Sequence, residues 1–162
     1  MNPSSDVTAI EDSTPGDFLN VAALDRIVWP DTLDTFIPDG EHAWRLWCEH
    51  ATVLVARKTT VPPLPESNDI AGALLMFPTK QGETFLHKIM VHADCRGSGI
   101  GSALMREALL RAETPVLLTV DPDNGPAVQL YRNFGFEVRT RVDGYYRPHE
   151  HRFVMVHPGR EM

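Results

Sequence analysis

Cysteine is scarce in this 162-residue chain: only Cys48 and Cys95 occur, far apart and with no metal-ligand or redox spacing. A reducing compartment fits two such thiols. No apolar run approaches the roughly 18 residues that a membrane span needs. The start, MNPSSDVTAIEDS, has neither the basic nor the apolar segment of a secretory leader. Positive charge is also short, with 15 Lys plus Arg against 22 Asp plus Glu and a net charge of −7. That is the wrong sign for a general phosphate-backbone binder. These absences predict a cytoplasmic protein with no membrane and no nucleic-acid partner. What is present is ordinary globular usage, 43% hydrophobic and 23% charged residues, in a length that suits one domain spanning 1–162. No internal repeat is visible.

Local patterns then divide the chain into elements. Val7 to Ile10 reads as a short opening strand, and Thr14-Pro15-Gly16-Asp17 as a helix entry before Phe18, Val21, Ala22, Leu24 and Val28, with Trp29-Pro30 closing that helix. Glu41 to His50 carries Ala43, Trp44, Leu46 and Trp47, the apolar cluster of a second helix whose tryptophans belong to the core. Ala51–Arg57, Ile70–Phe77 and Thr84–His92 read as strands, and the proline-rich KTTVPPLPESND as an exposed loop. Ile100, Ala103, Leu104, Ala108 and Leu109 recur at helical spacing up to Ala112. Val116–Val120 is a buried-looking strand, Asp121–Gly125 a turn, and Ala127–Phe134 a short helix ended by Gly135. Phe136–Val142 and Phe153–His157 close the chain as strands. The order is mixed α/β, with antiparallel strands leading into a strand, glycine turn, helix, strand unit.

The turn Arg96-Gly97-Ser98-Gly99-Ile100-Gly101-Ser102 lies directly between a strand and a helix. Such a turn aims several backbone N–H groups and a helix N-terminus at one spot, an anion site. Glycine is needed because a Cβ holds a phosphate away from the amides and because some of these positions call for φ above zero. A dinucleotide fingerprint starting at Gly97 or Gly99 requires a third glycine or alanine where Ser102 or Leu104 stands. A triphosphate loop requires Gly-Lys followed by Ser or Thr, which does not occur.

The remaining spacing, Arg, two residues, Gly, one residue, Gly, resembles the pyrophosphate loop of the GNAT N-acetyltransferase superfamily, and IMVHADCRGSGIGSALM resembles that family's central motif. The run Asn124-Gly125-Pro126-Ala127-Val128-Gln129-Leu130-Tyr131-Arg132-Asn133-Phe134-Gly135-Phe136 resembles its later motif, in the family's order and separation. The resemblance covers roughly residues 50 to 157. It implies an α/β (α+β) fold: a mixed, mostly antiparallel central sheet with a splayed central strand and about four flanking helices, with an acetyl-CoA-binding core near 83–136. It also implies that backbone groups of Ile89, Met90 and Val91 bind the pantetheine arm, while Gly97, Ser98, Gly99, Ile100, Gly101 and Ser102 hold the pyrophosphate. Arg96 adds a charge or pins the loop, and Asn124 contacts the cofactor or caps the short helix.

The implied function is transfer of an acetyl group from acetyl-CoA to a primary amine, on a small molecule or on a protein N-terminus or lysine, by direct attack in a ternary complex. Tyr131 is the expected general acid, since a phenol is protonated at pH 7 and the matching family tyrosine lies close to the cofactor sulfur. In the branch that acetylates protein N-termini a glutamate often stands where this chain has Thr119. The candidate bases are therefore His87 first, because imidazole titrates near neutral pH, and Glu83 or Asp121 as alternatives, directly or through water. Asp143 to Met155 partly resembles the closing hairpin of that branch, with Tyr145 and Tyr146 as candidate acceptor-lining residues or ordinary strand aromatics. An acidic residue expected beside Glu150 is His151 here. His149, His151 and His157 lack supporting carboxylate or cysteine spacing, so no metal is expected. A homodimer through edge strands near the C-terminus is compatible with this layout. The alternative reading is a CoA-binding sensor or interaction module that has lost turnover.

Overall fold

The predicted helix entry forms as written. Thr14 donates its backbone N–H to the Asp17 carboxylate at 2.8 Å, and Pro15 opens a 3-10 turn over Pro15–Asp17, where a missing N–H costs nothing. In the computed structural model, which describes residues 9–28, 38–59 and 62–159, this turn leads into α1 (Phe18–Val28). Next comes α2 (Glu41–His50), with Trp44 and Cys48 buried. Trp44 meets Trp47 edge-on at 5.1 Å; Trp44 is in the core as expected, whereas Trp47 is half-buried and Leu46 faces out at the margin of the helix's apolar face. Strand β1 is Glu11–Asp12, later than the expected Val7–Ile10. Val7, Thr8 and Trp29-Pro30 lie outside the described residues.

The remaining elements are β2 (Thr52–Arg57), β3 (Ile70–Pro78), β4 (Thr84–Val91), α3 (Ile100–Arg111), β5 (Val116–Val120), α4 (Gly125–Asn133), β6 (Glu137–Val142) and β7 (Arg152–His157). Helix α4 starts two residues before the predicted Ala127, because Asn124 caps it and Pro126 fits its first turn. The strands follow the order β1-β2-β3-β4-β5-β7-β6, a seven-stranded, mostly antiparallel sheet. Among the described residues no helix is long and apolar enough to cross a membrane.

The chain forms two compact units, one drawn from Met1–Met76 and Lys88–Ala108, the other from Phe77–His87 and Leu109–Met162. In the first, β1 pairs with β2, and β2 with β3, all antiparallel. Helix α3 approaches β3 at Gly72, where a Cβ would meet Ile100 Cγ2 at 2.8 Å and the Met90 carbonyl oxygen at 3.0 Å. The β2–β3 connection is mostly exposed, as expected, with two buried anchors. Leu64 and Ser67 are buried, and Leu64 and Asn68 exchange backbone hydrogen bonds across a tight turn.

Alternation along β4 buries Leu86, Lys88 and Met90 and leaves Phe85, His87, Ile89 and Val91 half-buried. Lys88 is therefore an inward-facing cation. It bonds both carboxylate oxygens of fully buried Asp25 at 2.8 and 2.9 Å and pairs with Asp39 at 2.9 Å. Asp25 also accepts from the Trp44 indole at 3.0 Å and the Asp39 N–H at 2.8 Å. Removing one partner of such a pair strands a buried charge, at about 3–5 kcal/mol. Arg57 forms a second hub, bonded to Glu11, Asp17 and Asp69.

In the second unit β4 pairs with β5 in parallel at Thr84↔Val116 and Phe85↔Leu117. β5 pairs antiparallel with β7 along its whole length, so the last strand lies inside the later edge strand β6. That edge carries exposed Glu137, Arg139 and Arg141 and a register shift between Val138 and Thr140. Charges and a bulge blunt an edge against further strand pairing.

Candidate functional site

The glycine turn has the backbone its composition demands. After a 3-10 turn at Ala93–Cys95, Gly97 and Gly99 take φ of 81° and 84°, a region costly for residues with a Cβ. A Cβ at either position would have no protein atom within 4 Å, so conformation and open space, not packing, select glycine there. The Ala103 N–H bonds the Gly99 carbonyl at 3.0 Å. The N–H groups of Ile100, Gly101 and Ser102 lie in the first turn of α3, where an α-helix offers them no partner of its own. Ser98 Oγ donates to the Cys95 carbonyl, and Arg96 donates to the Val28 carbonyl at 3.4 Å, the loop-pinning alternative for that residue. Ile89, Met90 and Val91 are the last residues of β4, in the same unit as this turn.

Tyr131, His87 and Glu83 belong to the second unit. Tyr131 lies on α4 with its ring edge-on to Phe136 at 6.0 Å, and burial pushes its phenol above the ordinary value. A raised phenol is held protonated across neutral pH, the state a proton donor requires. His87 sits on the half-buried face of β4 beside Phe77 and Phe85, at ring distances of 6.2 and 6.5 Å. Glu83 is clamped by Arg139, with contacts of 2.6 and 3.4 Å. That guanidinium holds its carboxyl below the usual range, which makes Glu83 a weaker base than an unpaired glutamate. Thr119 stands on β5 opposite Val154 and brings no carboxylate. Asp121 organises the following turn by accepting from the Asp123 N–H at 2.9 Å. Asn124 accepts from the Ala127 N–H at 3.2 Å, acting as the cap of α4.

Tyr145 and Tyr146 lie in the β6–β7 connection and not on a strand. Both are exposed, packed edge-on at 4.8 Å, with the Arg152 guanidinium 5.2 Å from the Tyr146 ring centre. Buried Glu150 fixes this connection by a two-pronged pair with Arg147 and by its carbonyl, which accepts from the Tyr145 N–H at 2.9 Å. The histidines serve separate local needs: His151 Nδ1 accepts from Gly144 and His157 Nδ1 from Gly159. Among the described residues no group of three or more His, Cys, Asp or Glu is placed to hold a metal ion.

Two polar residues of the first unit escaped the sequence reading. Lys88 was detectable as a charge at an inward position between Leu86 and Met90. His92 follows the same alternation, is buried, and leads directly into the glycine turn.

Comparison with known proteins gives the family. The family model described as Acetyltransferase (GNAT) family matches residues 21–136. An uncharacterized N-acetyltransferase of Methanocaldococcus jannaschii is 38% identical over 66 residues, 38% of this chain and 29% of that protein. The mycothiol acetyltransferase of Thermobifida fusca is 42% identical over 71 residues, 41% of this chain and 21% of that protein. The matches thus span under a third of either relative. Among solved structures, the ribosomal-protein-S18-alanine N-acetyltransferase of Escherichia coli superposes with a TM-score of 0.75 at 20% identity, covering 96% of both chains. NAA60 of Arabidopsis thaliana, solved with acetyl-CoA, superposes with a TM-score of 0.74 at 18% identity, covering 94% of this chain and 98% of that one. At these identities the likeness is one of fold. With the family model spanning most of the chain, including the glycine turn and the Tyr131 helix, the chain belongs to the acetyltransferase (GNAT) family.

Proposed function

We propose that this chain is an acetyl-CoA-dependent N-acetyltransferase that passes the acetyl group directly to a primary amine within a ternary complex. The observation that carries this reading is the turn at residues 96–102, whose two left-handed glycines precede an open helix N-terminus. Fixed N–H donors and the helix dipole favour a pyrophosphate there. Arg96, Gly97, Ser98, Gly99, Ile100, Gly101 and Ser102 form this cradle, and the backbone of Ile89–Val91 takes the pantetheine arm.

The acceptor nitrogen must be neutral to attack the thioester carbonyl. As the C–N bond forms and the C–S bond breaks, Tyr131 donates its proton to the departing CoA sulfur. His87, directly or through water, takes the proton the amine releases; the Arg139 clamp on Glu83 supports this choice. The exposed Tyr145 and Tyr146 line the acceptor side. The cytoplasm, where acetyl-CoA and reduced thiols occur together, is the proposed compartment. Asn124 is left out of the cosubstrate set because its side-chain oxygen is committed to the α4 cap.

Release of CoA thiol from acetyl-CoA, followed with polyamines, aminoglycosides, amino acids and N-terminal peptides beside a Tyr131→Phe control, tests the proposal. Turnover on one class, lost in the control, is the expected result. Acetyl-CoA binding without turnover on any acceptor would favour the sensor reading.

A further inference from the structure

His92 is the hinge between the end of β4 and the glycine turn, and both of its ring nitrogens are used. Nδ1 accepts the Asp94 backbone N–H at 3.1 Å, capping the Ala93–Cys95 turn from its first position. Nε2 faces the Pro65 carbonyl at 3.0 Å. Since Nδ1 must carry a lone pair to accept an N–H, Nε2 carries the hydrogen and donates it to Pro65. The ring is buried at 4% exposure, so neither bond is easily replaced by water.

The other end of this contact is equally specific. Pro65 sits in the turn closed by the Leu64–Asn68 pairing, and its carbonyl also accepts the Ser67 N–H at 2.8 Å. Ser67 is fully buried and donates its hydroxyl to the Ile70 carbonyl at 2.8 Å. Glu66 and Asn68 take φ of 67° and 56°, the two positive values at non-glycine residues among the described residues. Backbone in that region costs about 1–3 kcal/mol at a residue such as Glu66 and persists where surrounding structure fixes it. The strain thus lies directly after Pro65, the residue that delivers a carbonyl to His92, and on both sides of Ser67. Downstream, the capped turn ends at Cys95, whose carbonyl receives the Ser98 hydroxyl, so its position is passed into the glycine turn.

From this chain of contacts we infer that His92 is a positioning residue for the cosubstrate. In its neutral Nε2–H form it locks the β2–β3 turn to the Ala93–Cys95 turn and so presets the amides of residues 97–102 for the pyrophosphate. The inference rests on the proposed role of that turn. It predicts an effect confined to ligands that carry the pyrophosphate, which a merely stabilising residue would not show.

The test compares wild type, His92→Ala, His92→Asn and Gly99→Val. Calorimetry reads acetyl-CoA affinity, and competition reads the affinity of pantetheine, which lacks the pyrophosphate. His92→Ala is expected to weaken acetyl-CoA about tenfold, the effect of one well-placed hydrogen bond, and to leave pantetheine unchanged. His92→Asn restores most of the loss, because its carboxamide oxygen can accept the N–H two residues on. Wild-type acetyl-CoA affinity in His92→Ala, or an equal loss for both ligands, overturns the inference. If Gly99→Val weakens acetyl-CoA in that case, the reading of the glycine turn survives. If Gly99→Val binds acetyl-CoA as wild type does, that reading falls and the inference with it.

Discussion

Two strand-to-helix turns in this chain do the same mechanical job with opposite polar economies. The turn before α4 satisfies itself: Asp121 takes the Asp123 N–H, and Asn124 takes the Ala127 N–H. The turn before α3 places glycine at 99, which has no side-chain oxygen to cap the helix, and leaves the first amides of α3 open. A cap of the first kind contributes about 1 kcal/mol to stability. Giving up that contribution is intelligible where the amides serve a ligand. The α4 turn starts the helix that carries Tyr131, and the α3 turn is the proposed anion site.

The largest effect tests the self-capped helix through its chemistry. Tyr131→Phe is expected to lower kcat by about a hundred- to ten-thousandfold, the usual weight of a general acid, with acetyl-CoA affinity retained. Because burial raises the phenol's pKa, wild-type kcat should hold through neutral pH and fall only above the ordinary phenol value of about 10. A pH–rate profile of the two proteins checks this, and an alkaline limb that persists in Tyr131→Phe would assign it elsewhere.

Exchanging the two turns sharpens the contrast. Gly99→Asn gives α3 the kind of cap that α4 has, at a residue type that tolerates positive φ. Acetyl-CoA should bind about tenfold more weakly, as one fixed donor is diverted and a side chain enters the cradle. Thermal stability should be little changed, and affinity equal to wild type would show that the open amides are not used. The converse change, Asn124→Ala, should cost about 1 kcal/mol in denaturant unfolding with acetyl-CoA affinity near wild type. A large loss of affinity would return Asn124 to the cosubstrate set.

The smallest effect lies outside both turns. Glu83, held below its usual pKa by Arg139, stabilises the fold above the carboxylate pKa of the unfolded chain. That stability is lost as pH falls through the lower folded value. Glu83→Gln should therefore unfold slightly earlier at neutral pH, and the difference should disappear in acid. Turnover that survives this substitution but fails in His87→Gln would support His87 as the base.

Much of this was legible beforehand because it depends on near neighbours. The strand Val116–Val120 and the helix Glu41–His50 have their predicted boundaries, set by Pro115 and the Asp-Pro turn in one case and by amphipathic spacing in the other. The glycines at 97 and 99 announced left-handed backbone in a strand-to-helix turn. What was missed lies in contacts between distant segments. Glu83 reads from the sequence as an alternative base, and only the fold brings Arg139, 56 residues away, onto it. The proline-rich connection is mostly exposed, as prolines that punctuate loops imply, but its composition did not show that Leu64 and Ser67 bury themselves or that Pro65 serves His92.

The sequence by itself determined the helices, most strands, the open glycine turn and, through two motifs, the family. Each rests on periodicity or on a backbone angle that a residue and its immediate neighbours impose. Only the tertiary structure decided that β7 lies between β5 and β6, and that Lys88 is neutralised by Asp25 from 63 positions away. Those outcomes depend on which polar groups lose water together. Burial is a property of the packed chain, and no local stretch carries it.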